Sequence, residues 1–147
     1  MEIERKFLIR TMPENLEQYP CLEMEQGYLS INPVIRVRRQ NEEYVLTYKS
    51  AGMMSRQEFN LPLTKESYEH LREKTDGRLI QKKRYLIPFQ DKYTIELDLF
   101  EGFYHGLILA EVEFSTEVEA MEFLPPDWFG EDVTFKEEYH NSVMSQK

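Results

Sequence analysis

A single cysteine, Cys21, stands among 147 residues. That count excludes an intrachain disulfide and a cysteine-rich zinc site, and a reducing cytoplasm is the expected setting. Positive charge is also in short supply, with 18 Lys and Arg against 27 Asp and Glu and a net charge of −9. A protein that grips a nucleic-acid backbone by general electrostatics should be basic, so no nucleic-acid partner is expected, which leaves room for a local cationic site inside an acidic protein. No apolar run is long enough to span a bilayer and no signal-peptide pattern is present, so no membrane partner is expected either. Internal repeats, low-complexity tracts and linkers are missing, and the length suits one domain over 1–147.

What the chain does have is 13% aromatic and 31% charged residues. The aromatics argue against disorder, and so much charge beside them suggests that some of it lies inside a cleft or channel. Strands are expected over about 2–10, 24–31, 34–40, 44–49, 56–61, 78–88, 93–100 and 107–115, separated by turn signals such as Asn32-Pro33, Asn41-Glu42-Glu43 and Gln90-Asp91-Lys92. Pro13 opens a short helix to Tyr19, and Thr64 caps a longer one to Thr75, with Asp76-Gly77 as its stop. Thr116-Glu-Val-Glu119 has the spacing of a capping box for a helix to Leu124, and another helix is expected over 136–144.

In an extended strand successive side chains point to opposite faces, so Glu2, Glu4 and Lys6 share one face and Ile3, Arg5 and Phe7 the other. Two carboxylates so close repel one another unless a cation sits between or opposite them, so the pattern calls for a partner such as a divalent metal. Period-two charge recurs along the chain. The cations are Lys6, Arg36, Arg38, Lys49, Arg56, Lys82 and Arg84, and the anions are Glu2, Glu4, Glu58, Glu96, Asp98, Glu111 and Glu113. About eight antiparallel strands can close into a barrel, and alternation puts one of the two faces inside. Either the apolar face fills the barrel and the charges are solvated, or the charges line a bore and helices cover the apolar face.

Glu2-x-Glu4-x-Lys6 resembles the E-x-E-x-K signature of the CYTH superfamily, the triphosphate tunnel metalloenzymes. Arg36-x-Arg38, Thr47-Tyr-Lys49, Arg56-x-Glu58, Lys82-x-Arg84, Glu96-x-Asp98 and Glu111-x-Glu113 follow in the family's order and approximate spacing. Asn60 departs from the pattern, where many members carry a second glutamate after Arg-x-Glu. The resemblance implies an α+β fold, a closed antiparallel eight-stranded β-barrel whose charged lumen is a tunnel, flanked by helices. It implies metal-dependent hydrolysis of a small-molecule triphosphate, inorganic tripolyphosphate first, with Mg2+ or Mn2+ held by Glu2, Glu4, Glu111 and Glu113. Lys6, Arg36, Arg38, Lys49, Arg56, Lys82 and Arg84 become substrate-binding, since forked guanidiniums and point-charge lysines suit a linear polyanion.

Glu58, Glu96 and Asp98 are auxiliary acids, Glu96 and Asp98 serving either the metal or water or the pairing of the lysines and arginines. Lys82 is either the general base or one more phosphate contact. Rival readings are a thiamine or nucleoside triphosphatase, a class IV adenylyl cyclase, whose usual His-Phe segment before the glutamate motif is absent, and a non-enzymatic polyphosphate-binding module, which would need fewer carboxylates. A long exposed barrel face would permit a homodimer. His70, His105 and His140 are expected to be structural or solvated, and Tyr139 either caps the tunnel or packs in the core.

Overall fold

A strand charged on one face and apolar on the other needs neighbours on its flanks and a cover on its apolar side. The computed structural model, which describes residues 1–146, meets both needs with one antiparallel sheet. Among the described residues ten strands form it: β1 (Glu2–Ile9), β2 (Cys21–Ile31), β3 (Val34–Gln40), β4 (Glu43–Lys49), β5 (Ser55–Arg56), β6 (Glu58–Pro62), β7 (Asp76–Phe89), β8 (Tyr93–Phe100), β9 (Ile108–Glu113) and β10 (Phe129–Asp132). Three short helices accompany them: α1 (Lys65–Arg72), α2 (Glu117–Glu122) and α3 (Asn141–Met144). No helix among the described residues is long and apolar enough to cross a membrane.

The α+β class and the antiparallel pairing agree with expectation. The closed eight-stranded barrel does not, because the strand path β10-β1-β9-β8-β7-β2-β3-β4-β6 has two ends. Residues 55–62 bring the flanks together: Glu2 pairs with Arg56 and Ile3 with Ser55, and after Gln57 the chain pairs with β4, starting at Lys49 opposite Glu58. A two-residue ladder is too short to knit the β1 flank into a ring, and an open seam results.

The charged rows turn inward, and they change character along their length. On β1, Glu2, Glu4 and Lys6 give way to Leu8; on β9, Glu113 and Glu111 give way to Leu109. On β8, Glu96 and Asp98 lead to Phe100, and on β7, Arg84 and Lys82 lead to Ile80. Ile80, Phe100 and Leu109 pack with Val133 and Met144, with Leu8 and Tyr139 against them. One end of the interior is therefore an apolar floor closed by the C-terminal segment, and the charges line a cleft above it. Outside, Phe7, Ile95, Leu97, Ala110 and Val112 are buried against Ala120 of α2 and the following Phe123 and Phe129. Each such large side chain contributes about 1.5–3 kcal/mol when fully buried.

Thr64 caps α1 as expected: its hydroxyl accepts from the Ser67 amide at 3.1 Å, and Ser67 Oγ accepts from the Thr64 amide at 2.9 Å. Tyr68, 1% exposed, anchors the helix by donating to Glu25 Oε1 at 2.9 Å, and Arg72 reaches the same oxygen at 3.0 Å. The helix expected from Pro13 to Tyr19 is only a 3₁₀ turn, Leu16–Gln18, entered from Asn15 at φ +56°. The expected helix over 136–144 divides into a second such turn, Glu137–Tyr139, and α3. At α2 the capping box is incomplete: Thr116 accepts from the Glu119 amide, but Glu119 Oε1 takes the Ser115 amide.

The floor is latched to β7 where the Arg78 amide donates to the Ser145 carbonyl at 2.7 Å. Gly77 makes that approach possible, since it sits at φ +68° and a Cβ there would run into the same carbonyl. Gly77→Ala is expected to cost at least about 2 kcal/mol, read as a lowered thermal midpoint. Gly106→Ala, also at positive φ but with nothing within 4 Å, should lose less.

Candidate active site

The inward rows surround a cleft of about 270 Å³. Every charged residue of the period-two rows lines it except Asp98, which lies beneath, 1% exposed. The rows that alternation predicted separately are thus brought together, from all of β1 to β9 and from the C-terminal segment.

Asp98 is the lower clamp. Its Oδ2 meets Lys82 Nζ at 2.7 Å and Arg84 Nη2 at 2.8 Å, while Oδ1 accepts from Arg84 Nε at 2.7 Å. Arg84 also reaches Glu96 at 3.2 Å and Glu111 at 3.1 Å, and Lys6 meets Glu111 at 3.1 Å. Burial alone would raise both acids; Arg84 and Lys82 bring Asp98 below its usual range, and Lys6 and Arg84 hold Glu111 well below it. Lys82 behaves otherwise. It is fully buried at the border between cleft and floor, its ammonium 5.3 Å from the centre of the Phe100 ring. Desolvation there outweighs Asp98, and with Arg84 and Arg38 nearby it lowers the amine to about 8.

The seven cations fall into two groups. Lys6, Lys49, Lys82 and Arg84 each have a carboxylate partner. Among the described residues, Arg36, Arg38 and Arg56 have none within ion-pair distance. Arg38 Nε donates to Gln26 Oε1 at 2.9 Å, Arg36 Nη2 donates to Thr47 Oγ1 at 3.3 Å, and Arg36 Nε is buried without an acceptor. All three guanidiniums face the cleft. Three fixed charges without counter-charge form a ready anion site.

The carboxylates divide in the same way. Glu111 is tied to Lys6 and Arg84, and Glu2 to Lys49 at 2.9 Å. Glu4 and Glu113 face the cleft with no hydrogen bond or ion pair among the described residues. Burial, Glu111 and Glu2 push Glu4 up to about 7, and burial with Glu96, Glu58 and Glu4 raises Glu113. Carboxyl groups so short of positive charge have the donor chemistry of a site for a hard divalent cation. Among the described residues, however, no three Asp, Glu, His or Cys side chains converge tightly enough to ligate one ion. Glu58 stands apart: burial would raise it, but hydrogen bonds with Glu2 and Asn60 and the nearby Lys49 and Arg36 bring it down to about 2.

Sequence reasoning missed neutral members of the wall, Tyr28, Gln40, Thr47, Asn141 and Ser142, and the buried Gln26 behind Arg38. The signal was available for two of them, because Gln26 and Thr47 stand directly across from Arg38 and Arg36 in the β2–β3 and β3–β4 ladders. His140, expected to be structural or solvated, lines the cleft and is 9% exposed, its Nε2 3.0 Å from the Thr134 carbonyl. Tyr139 packs its ring against the floor, and its carbonyl accepts from Lys6 Nζ at 3.0 Å. His70 is exposed on α1, and His105 is exposed after the turn that follows β8.

Glu4 gives the site a pH signature. Its carboxyl rises from 4.5 unfolded to about 7 folded, so the stability it contributes is complete below pH 4.5 and is lost as the pH climbs through 7. In chelator-treated protein, Glu4→Gln should therefore be more stable than the parent at pH 8, by roughly 1–3 kcal/mol, and no more stable at pH 4. Thermal midpoints across that range are the check.

A family model described as "CYTH domain" matches residues 1–146. An inorganic triphosphatase of Nitrosomonas europaea is 40% identical over 147 residues, covering 98% of this chain and 96% of that protein. An inorganic triphosphatase of Acetivibrio thermocellus is 34% identical over 154 residues, covering 97% and 92%. The crystal structure of an inorganic triphosphatase superposes with a TM-score of 0.74 at 37% identity, covering all of this chain and 95% of the other. Seen together with the inward ionic rows and the acid-and-arginine cleft, these matches establish that the chain belongs to the CYTH domain family.

Proposed function

We propose that this chain hydrolyses a triphosphate, with inorganic triphosphate as the leading substrate, in the presence of Mg2+ or Mn2+. The observation that carries the reading is the pairing, across one cleft, of three guanidiniums without counter-anions and carboxyl groups without counter-cations. A polyanion complements the first set and a divalent cation the second. The names of the 40% and 34% identical relatives support the same activity.

On this reading the phosphate chain lies along Arg36, Arg38 and Arg56, with Lys6, Lys49 and Arg84 reinforcing it from within their ion pairs. Glu4 and Glu113, with Glu2 and Glu111 beside them, would hold the metal. A bound divalent ion would neutralise phosphoryl oxygens as charge shifts from the attacking to the leaving oxygen. Lys82 acts as general base: with its amine near 8, a useful fraction is neutral in weakly alkaline solution and takes a proton from water as the water oxygen bonds to the terminal phosphorus. The terminal bridging P–O bond breaks, releasing orthophosphate and pyrophosphate. Asp98 and Asn141, at 2.7 and 3.2 Å, fix the direction of the amine.

Phosphate release should be fastest with inorganic triphosphate, slower with ATP and thiamine triphosphate, and abolished by a chelator; cyclic nucleotide from ATP, or no product from any of them, would overturn the reading. Lys82→Ala should lower kcat about 100-fold or more with KM within about threefold. Equal losses in kcat and affinity would make Lys82 a phosphate contact only. Arg38→Ala should show the opposite pattern, raising KM with a smaller effect on kcat.

A further inference from the structure

Two of the three arginines that carry no counter-anion, Arg36 and Arg38, are nonetheless held in place, and the groups holding them are neutral. For Arg36 the support runs across three strands in one direction. Arg36 Nη2 donates to Thr47 Oγ1 at 3.3 Å, Thr47 donates to Asn60 Oδ1 at 2.6 Å, and Asn60 Nδ2 donates to Glu58 Oε1 at 2.8 Å. Arg36, Thr47 and Asn60 are direct cross-strand partners in the β3–β4 and β4–β6 ladders, so the backbone register itself lines them up. Thr47 is wholly buried and Arg36 is 6% exposed, whereas Asn60 is exposed at the cleft rim.

The polarity of this relay matters. The Thr47 hydroxyl has one proton; committed to Asn60, it leaves its lone pairs to accept from Arg36. The chain is completed by a side chain that accepts from Thr47 while donating to Glu58, and the Asn60 amide does both from two separate atoms. A carboxylate at 60 would accept from Thr47 but face Glu58 with a second negative charge. It would also set an anion within reach of Arg36, in competition with a polyanionic ligand.

We infer that Asn60 is a positioning residue for anion binding: through Thr47 it orients the Arg36 guanidinium toward the cleft, and its neutrality leaves that charge for a phosphate chain. Arg36 Nε is buried with no acceptor, so the guanidinium keeps a donor that the protein itself does not use. The inference rests on the triphosphatase reading for the identity of the ligand, and on the hydrogen-bond relay for the role of Asn60.

The test uses the full chain and inorganic triphosphate as the probe, in two measurements. Calorimetric titration of chelator-treated protein gives Kd, and steady-state phosphate release gives KM and kcat. Asn60→Ala should weaken Kd and raise KM about fivefold to tenfold with kcat within about twofold, and Asn60→Asp should weaken binding at least as much. Thr47→Val should match Asn60→Ala and Thr47→Ser should retain most of the affinity. In an Arg36→Lys background, Asn60→Ala should add little, because the relay then has no guanidinium to aim.

Asn60 is exposed, so its variants keep the experiment decisive even where the buried Thr47→Val fails to fold. An unchanged Kd and KM in Asn60→Ala would overturn the inference while leaving hydrolysis intact. Binding that depends on Asn60 in a protein that releases no phosphate would uphold the inference and overturn the triphosphatase reading. Absence of triphosphate binding in the parent protein would overturn both.

Discussion

A carboxylate sealed under a cleft, Asp98, is the constraint to which the rest of this structure answers. Taking an ionised group out of water costs several kcal/mol even after relaxation, and the cost is offset only by close, well-directed partners. Asp98 has them in Lys82 and in the Nε–Nη2 edge of Arg84, all within 2.8 Å. The β7–β8 register sets Arg84 directly opposite Asp98, so the ladder and the ion cluster fix one another. From Arg84 the compensation passes to Glu96 and Glu111, and from Glu111 to Lys6 on β1. Four strands are held together by a layer of charge that is nearly balanced internally.

That balance lets the rest of the cleft remain unbalanced. Arg36, Arg38 and Arg56 are not needed to neutralise the acids, so Gln26 and Thr47 support the first two through neutral acceptors. Glu4 and Glu113 are left without cations in the same way. The protein thus separates its charges into a spent layer at the base and an unspent one above it, and only the unspent layer has electrostatic work left to do on a ligand. The apolar floor sharpens the boundary, since Ile80 and Phe100 flank Lys82 on the side away from the acids.

Much of this was legible in the residues. Period two placed Glu2, Glu4 and Lys6 on one face and located eight of the strands, because half-buried antiparallel strands carry their orientation in the sequence. Alternation could not decide which face was inside; the resemblance to the CYTH pattern favoured the charged one, and the cleft lining agrees. Closure was misjudged because it depends on a two-residue pairing, Ser55–Arg56 with β1, too short to leave any periodic trace. β10, four residues long, escaped for the same reason. The helix expected after Pro13 has only the partly buried Leu16 and Tyr19 against the core and no fully buried 3₁₀ residue, too little packing to stabilise so short a segment. The division into paired and free cations lay beyond the sequence, since Lys82 and Arg36 sit in similar local patterns and differ only in what the fold brings opposite them.

The floor under the cleft has a consequence for biosynthesis. The Lys6 carbonyl accepts from the Val133 amide, the Lys6 amide donates to Thr134 Oγ1, and the Lys6 ammonium donates to the Tyr139 carbonyl. Val133 and Met144 complete the apolar base. A polypeptide still emerging from the ribosome with β1 through β9 extruded would therefore hold its ionic rows over an unsealed cavity, with the outer edge of the first strand paired only at Glu2 and Ile3. Pairings of such long sequence separation form late. The desolvated lysine can arise only once residues 133–144 have docked beneath it, which makes the base of the cleft one of the last parts of the fold to be completed.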